Sequence, residues 1–340
     1  MLETKLLLLL FGIALLSYFG SLLYRFYALQ KGVVAEVNKR SAHDIPVPTG
    51  SGLVLLMVFC FSLLILWYWE ILGQKIILAC LGPLLVSIIG FLDDRGEIAV
   101  SRRILLYLVA AIWTVIVLGF PTLNFLGYIV DLHFAGLLLA VISLFWLQNL
   151  FNFMDGMDGI AASEVIFVCL SVIVIVWPNH NEWTILCLIC CLLALGYLPI
   201  NLPPAKLFMG DAGSNLFGLL LGLMIISGEL VSIWVWIILL SQFIVDACLT
   251  VCVRLVKKEK IYESHSQHAY QHLNRKFGTK SILFLTISIN LLWLYPLAWF
   301  AHLSPDHSLI LLTLAVLPIA LKDWFSGAGK DLPRLHRLQP

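Results

Sequence analysis

Runs of about twenty apolar residues, separated by short polar stretches, recur along the whole 340-residue chain and restrict it to a membrane. A spanning helix needs roughly 20 mainly apolar residues. Eleven segments meet that requirement, near 5–24, 50–69, 74–92, 104–120, 134–151, 160–177, 183–199, 214–228, 231–253, 281–301 and 308–323. With 61% hydrophobic and only 12% charged residues, a disordered chain and a soluble multidomain enzyme are both excluded. The expected fold is all-α and polytopic, a single transmembrane domain over 1–340.

Charge distribution gives an orientation. An odd number of spans places the termini on opposite sides. Of the 21 Lys and Arg residues, all but Lys5 and Lys75 then fall on one side. Basic loops stay cytoplasmic, so the N-terminus is expected outside and the C-terminus inside. The cytoplasmic segments are 25–49, 93–103, 149–160, 201–213 and 254–280, with a tail over 324–340. Lys5 ahead of LLLLLFGIALL resembles a signal peptide, but no small-residue cleavage site follows, and the stretch reads as the first span. Eight cysteines lie inside apolar segments without a metal-binding spacing and read as small buried hydrophobes. The net charge of +1 says nothing about nucleic acid, but no basic stripe or nucleic-acid motif occurs, so no nucleic-acid partner is expected.

Against that hydrocarbon background the acids stand out. Asn149–Glu164 reads NLFNFMDGMDGIAASE and carries Asp155 and Asp158 between glycines at or just inside a membrane surface. Ionisable groups at that depth mark functional sites by default. Paired acids with small neighbours suit Mg²⁺, which takes one or two carboxylates plus substrate phosphates. The competing reading is a hydrated loop whose acids cap the next helix. Asp93 and Asp94 end the third span. As helix neighbours they diverge by about 100° and do not simply share one metal; a stop-transfer flank is the alternative. Asp211, in FMGDAGSN, could bind or merely N-cap the eighth span, and Lys206 beyond Pro203-Pro204 offers a basic approach to a phosphate.

Three histidines follow the ninth span in KKEKIYESHSQHAYQHLNRKFG. His268 and His272 are four apart, but with no third ligand of the right type they suit a phosphate clamp with Arg275 better than zinc. A solvated basic loop is the bland alternative. His43, with Lys39 and Arg40, belongs to another basic cytoplasmic loop. Asp246 sits within the apolar run SQFIVDACLT and must face the bundle interior, toward substrate or another side chain. Every other unusual polar residue falls on the cytoplasmic side, which points to a single site there and a soluble cytoplasmic substrate.

Five motifs in order, NKRSAHDIPVPTGSG, FLDDR, NLFNFMDGMDGIA, NLPPAKLFMGDAGS and HSQHAYQHLNR, resemble the polyprenyl-phosphate N-acetylhexosamine-1-phosphate transferases. This is the membrane family of the WecA, WbpL and MraY types, within glycosyltransferase family 4. The resemblance covers nearly the whole chain, and the HAYQH form is most similar to the WbpL-type branch. Thr49 and Ser51 stand where many members carry Arg and Gly, and Arg95, Arg102 and Arg103 take the place of a downstream lysine.

The resemblance implies transfer of a sugar-1-phosphate from a UDP-N-acetylhexosamine to undecaprenyl phosphate with release of UMP. That would be the initiating step of O-antigen or other lipopolysaccharide and cell-surface glycan synthesis, in the bacterial inner membrane. It implies Mg²⁺, or Mn²⁺ in its place, on Asp155 or Asp158 and Asp211, and Asp93 or Asp94 orienting or deprotonating the lipid phosphate. His268, His272 and Arg275 would hold the diphosphate, with Asn152, Lys206, Asp246 and His43 among the substrate contacts. Membrane lipids are the remaining expected partners, and a homodimer is left open. The runner-up is a phospho-MurNAc-pentapeptide transferase. A transporter or flippase is the alternative from another class, and expects acids near the bilayer midplane.

Overall fold

The computed structural model describes residues 2–35, 46–119, 122–125, 128–179, 181–260 and 265–331. The chain is an all-α polytopic membrane protein. In order the helices are α1 (Leu2–Lys31), α2 (Gly52–Tyr68), α3 (Gln74–Asp93), α4 (Val100–Leu118), α5 (His133–Met154), α6 (Ile160–Val176) and α7 (Glu182–Asn201). Then come α8 (Gly210–Ser227), α9 (Ile233–Leu239), α10 (Ser241–Val256), α11 (Ala269–Phe277), α12 (Thr279–Ile289), α13 (Tyr295–Leu303) and α14 (Ser308–Phe325). Two small antiparallel hairpins interrupt them. β1 (Val34–Ala35) pairs with β2 (Val47–Pro48), and β3 (Thr122–Phe125) with β4 (Tyr128–Asp131).

Each expected span falls on helical structure, 231–253 on the pair α9 and α10 and 281–301 on α12, a π-helical turn and α13. Among the described residues eight helices are long and apolar enough to cross a membrane, nine if α9 and α10 form one span bent by 77°. Gly52–Tyr68 and Ile160–Val176 are apolar but shorter. Helices dominate because hydrocarbon offers backbone groups no partners, so each segment must satisfy its own.

The bundle is organised around α8, which is buried from Ala212 to Met224. It packs mainly against α3 and α5. A Cβ on Gly218 would come within 2.7 Å of the Gln148 backbone on α5, so the missing side chain is what lets these two helices touch, as small residues do at membrane interfaces. Lipid-facing positions carry exposed apolar side chains such as Leu7, Phe11, Phe284 and Leu292.

One buried polar chain crosses the interior. The Asn290 amide donates to Glu164 at 2.7 Å, and Gln242 donates to Asn290 Oδ1 at 2.6 Å. Asn290 opens a π-helical turn (Asn290–Leu294) between α12 and α13. The three residues tie α6, α10 and that turn together, close to where the helix ends carry the acids.

Candidate functional site

The acidic motifs meet where helix ends converge. Asp94 follows the last turn of α3, and its Oδ1 accepts the backbone N–H of Asp211 at 3.0 Å in the first turn of α8. A carboxylate is favoured there by the unpaired N–H groups and the positive end of the helix dipole. Asp211 therefore does not cap α8; Met209 is the N-cap residue, and Asp211 lies within the first turn. Asp93 pairs with Arg103 of α4. The same guanidinium lies 3.9 Å from Asp211 Oδ2, so one cation bridges two of the acids.

Asp155 terminates α5, and Asn152, one turn earlier, reaches Ser214 Oγ of α8 at 3.3 Å. Asp158 accepts the backbone N–H of Ala205 at 2.9 Å, fastening the acidic loop to the segment after α7. Asn201 holds that segment from the other side. It accepts the Gly159 N–H at 2.9 Å and donates to the Leu207 carbonyl at 3.0 Å. The first loop joins too: Phe208 N–H donates to the Pro48 carbonyl at 2.8 Å, and Gly52 N–H to that of Met209 at 2.9 Å.

These acids disturb one another. Removal from water, followed by the charges of Asp211, Asp94 and Asp158, holds the Asp155 carboxyl well above its ordinary range. Asp94 is raised as well, first by desolvation at its carboxylate end and then by Asp211, although much of the residue faces solvent. Such a group of like charges is the environment a cation relieves. No preassembled set of three ligands exists among the described residues. Mg²⁺ does not require one, since it commonly takes one or two carboxylates and completes its shell with water and phosphate. The donor set of Asp155 and Asp211 fits that pattern.

The histidine segment is set by a buried acid. Asp246 on α10 accepts the backbone N–H groups of Ala269 at 3.0 Å and Tyr270 at 2.8 Å, and its Oδ1 lies 3.1 Å from His268 Nδ1. Thr250 donates to it as well, at 3.2 Å. The Asp246 carboxylate is thus spent on seating the first turn of α11 and the His268 ring, and it faces that network rather than an open surface. His272 is buried, and among the described residues neither of its ring nitrogens makes a side-chain hydrogen bond. Burial, and then the nearby Arg275, push its imidazole below the ordinary value. Arg275 donates to the Ser266 carbonyl at 3.2 Å, within the same segment.

Tyr270 joins the two halves. Its hydroxyl donates to the Phe153 carbonyl at 3.1 Å, two residues before Asp155. Lys206 is exposed, and its carbonyl accepts the Arg25 Nε–H at 3.1 Å. His43, with Lys39 and Arg40, lies outside the described residues.

Sequence reasoning missed the groups that arrange the acids: Tyr270, Asn201, Ser214 and Thr250, together with the pairing of Arg103 to Asp93. Tyr270 sits inside HAYQH, so its neighbourhood was a signal. The others are ordinary polar residues, most of them near helix ends, and only the fold gives them partners.

A model of glycosyl transferase family 4 matches residues 76–229, from α3 through the end of α8. A probable undecaprenyl-phosphate N-acetylglucosaminyl 1-phosphate transferase of Bacillus subtilis is 27% identical over 256 residues, covering 72% of this chain and 71% of that protein. Over these stretches the chain is similar to that family and that protein. A phospho-N-acetylmuramoyl-pentapeptide-transferase of Chlamydia trachomatis is 26% identical over 290 residues, 74% of this chain and 82% of that protein. A decaprenyl-phosphate N-acetylglucosaminephosphotransferase of Mycolicibacterium smegmatis is 29% identical over 234 residues, 62% and 56% of the respective chains. These matches bear out the resemblance to the polyprenyl-phosphate hexosamine-1-phosphate transferases and, at that coarse level, support a sugar-phosphate transferase. The region matched by the family model holds Asp93, Asp94, Asp155, Asp158 and Asp211 and stops short of Asp246 and the histidine segment.

Proposed function

We propose that the protein transfers an N-acetylhexosamine-1-phosphate from its UDP-sugar to undecaprenyl phosphate at the cytoplasmic face of the bacterial inner membrane, releasing UMP. The observation that carries this reading is the meeting of three separate acidic motifs: Asp94 bonded to the Asp211 backbone, with Asp155 feeling the charge of both. The family match and the similar transferases support the same reading. Two anionic substrates repel unless their charge is neutralised, so an acidic site for them implies a divalent cation and nearby basic groups.

Asp155 and Asp211 would hold Mg²⁺, with Asp158 supporting the loop through Ala205; bound there, the metal would supply charge neutralisation for the donor diphosphate. Asp93 or Asp94 orients the lipid phosphate, whose oxygen attacks the β-phosphorus. The bond from that phosphorus to the bridging oxygen breaks, and UMP leaves with the electron pair. His268, held by Asp246, together with His272 and Arg275, contacts the diphosphate and stabilises its charge as UMP departs. Asn152, beside Ser214, and the exposed Lys206 are the further substrate contacts in this reading. The WbpL-type role in initiating O-antigen or other surface polysaccharide synthesis is favoured by the HAYQH sequence, which lacks the run of consecutive histidines of the MraY type.

The experiment is UMP release by purified protein given undecaprenyl phosphate, Mg²⁺ and a panel of UDP-N-acetylhexosamines. Release that needs both lipid and metal is expected. Release indifferent to the lipid, or none with any donor from folded protein, contradicts the proposal.

A further inference from the structure

The segment after α14 returns to the histidines. Gly329 N–H donates to the Gln267 carbonyl at 2.8 Å, and Gln267 Nε2 donates to Asp331 Oδ1 at 2.9 Å. The remaining polar atom of that side chain is taken from the opposite side, where Arg254 Nη1 donates to Gln267 Oε1 at 2.6 Å. Gln267 is buried, directly precedes His268, and has both ends of its amide and its carbonyl occupied. Lys257 donates to the Gly329 carbonyl at 2.8 Å, and Ala328 N–H to that of Asp323 at 3.1 Å, so the strap is itself fastened at two points.

Its seat is tight. Gly329 has φ +69°, and a Cβ there would lie 2.6 Å from Val253 Cβ and 2.9 Å from the Thr250 carbonyl on α10. Only glycine adopts that conformation without strain and fits that space. Val253 and Thr250 belong to the helix whose Asp246 seats His268. The histidine turn is therefore gripped from two directions, by Asp246 within α10 and by the strap from residues 326–331.

We propose that Gly329 and Asp331, acting through Gln267, are positioning residues that fix His268 and His272 for the reaction. A pre-set orientation matters because a misplacement of about 1 Å can cost on the order of a hundredfold in rate. This inference rests on the histidine segment belonging to the reaction site as proposed above.

The test uses the full chain in lipid nanodiscs and the variants Gly329→Val, Asp331→Ala and Asp331→Asn. Amide hydrogen exchange over 265–272 is expected to quicken about tenfold in the first two while exchange over 149–160 stays as in the parent, because local opening is read segment by segment. Asparagine keeps an acceptor for the Gln267 amide, so Asp331→Asn should behave like the parent. UMP release at saturating donor should fall by about tenfold in Gly329→Val and Asp331→Ala, with the thermal midpoint nearly unchanged in Asp331→Ala. Unchanged exchange over 265–272 in Asp331→Ala overturns the proposal, and so does equal acceleration over 149–160, which would mean general loosening. If Gly329→Val does not fold, Asp331→Ala and its asparagine counterpart decide. Should the parent release no UMP, the functional reading fails, while the exchange comparison still decides the strap.

Discussion

The Asp94 carboxylate and the Asp211 backbone are joined by a 3.0 Å hydrogen bond, so the acid ending α3 is anchored to the helix start that presents another acid. The contact brings residues 117 apart in sequence into one site, and it depends on the residue between Met209 and Asp211. Gly210 has φ +68°, and a Cβ there would run into the Asp94 carboxylate. Gly210→Ala adds left-handed strain on the order of 1–2 kcal/mol and pushes Asp94 out of place. We expect at least about a tenfold loss of UMP release, with membrane insertion retained. Parent-like turnover from Gly210→Ala would show that this junction is not needed for catalysis.

Asp155→Asn and Asp211→Asn remove charge from the proposed metal site while keeping shape. Each should insert and fold, yet lose roughly a hundredfold or more in turnover, the scale of removing one electrostatic stabiliser. Half-maximal activity should also shift to higher Mg²⁺ in whatever activity remains. Near-normal rates in both variants would sink the metal assignment.

Asp246 serves the chain rather than an open surface. In Asp246→Leu the buried N–H groups of Ala269 and Tyr270 lose their acceptor, at roughly 1–3 kcal/mol for each unsatisfied group. The thermal midpoint in detergent should fall clearly, and Asp246→Asn, which keeps an acceptor oxygen, should fall less. Equal midpoints for the two variants would mean that these hydrogen bonds do not hold α11.

His272 gives a pH signature. Burial first, and then the charge of Arg275, lower its imidazole pKa, with Asp246 opposing and His268 adding to the effect. The unfolded chain therefore takes up the proton near the ordinary value of about 6.5, where the native state resists it. Stability is fully present above that value and declines as pH falls through it toward the lower native pKa. His272→Gln should flatten the dependence of the midpoint on pH between about 7 and 5. An unchanged slope would show that this ring does not carry the titration.

The fold class was legible because hydrocarbon admits few structures and the apolar runs are long. The site acids were legible for the complementary reason, that Asp93, Asp94, Asp155, Asp158 and Asp211 are conspicuous in such a chain. Their arrangement was not. Neither the pairing of Asp93 with Arg103 nor the grip of Asp331 on Gln267 has a local pattern, since the partners are 10 and 64 residues apart and meet only through helix packing. Asp246 stood out as an intramembrane acid, but whether it met a substrate or the protein itself depended on where α11 folds back. The bend between α9 and α10 carries no proline to announce it.

Transfer itself is tested most directly by following the donor's two phosphorus atoms. With UDP-N-acetylhexosamine labelled at the β-phosphorus, undecaprenyl phosphate and Mg²⁺, the label should appear in a lipid-linked diphosphate sugar, while unlabelled UMP is released in equal amount. Label recovered as UDP or inorganic phosphate, or a lipid product without it, would contradict sugar-1-phosphate transfer.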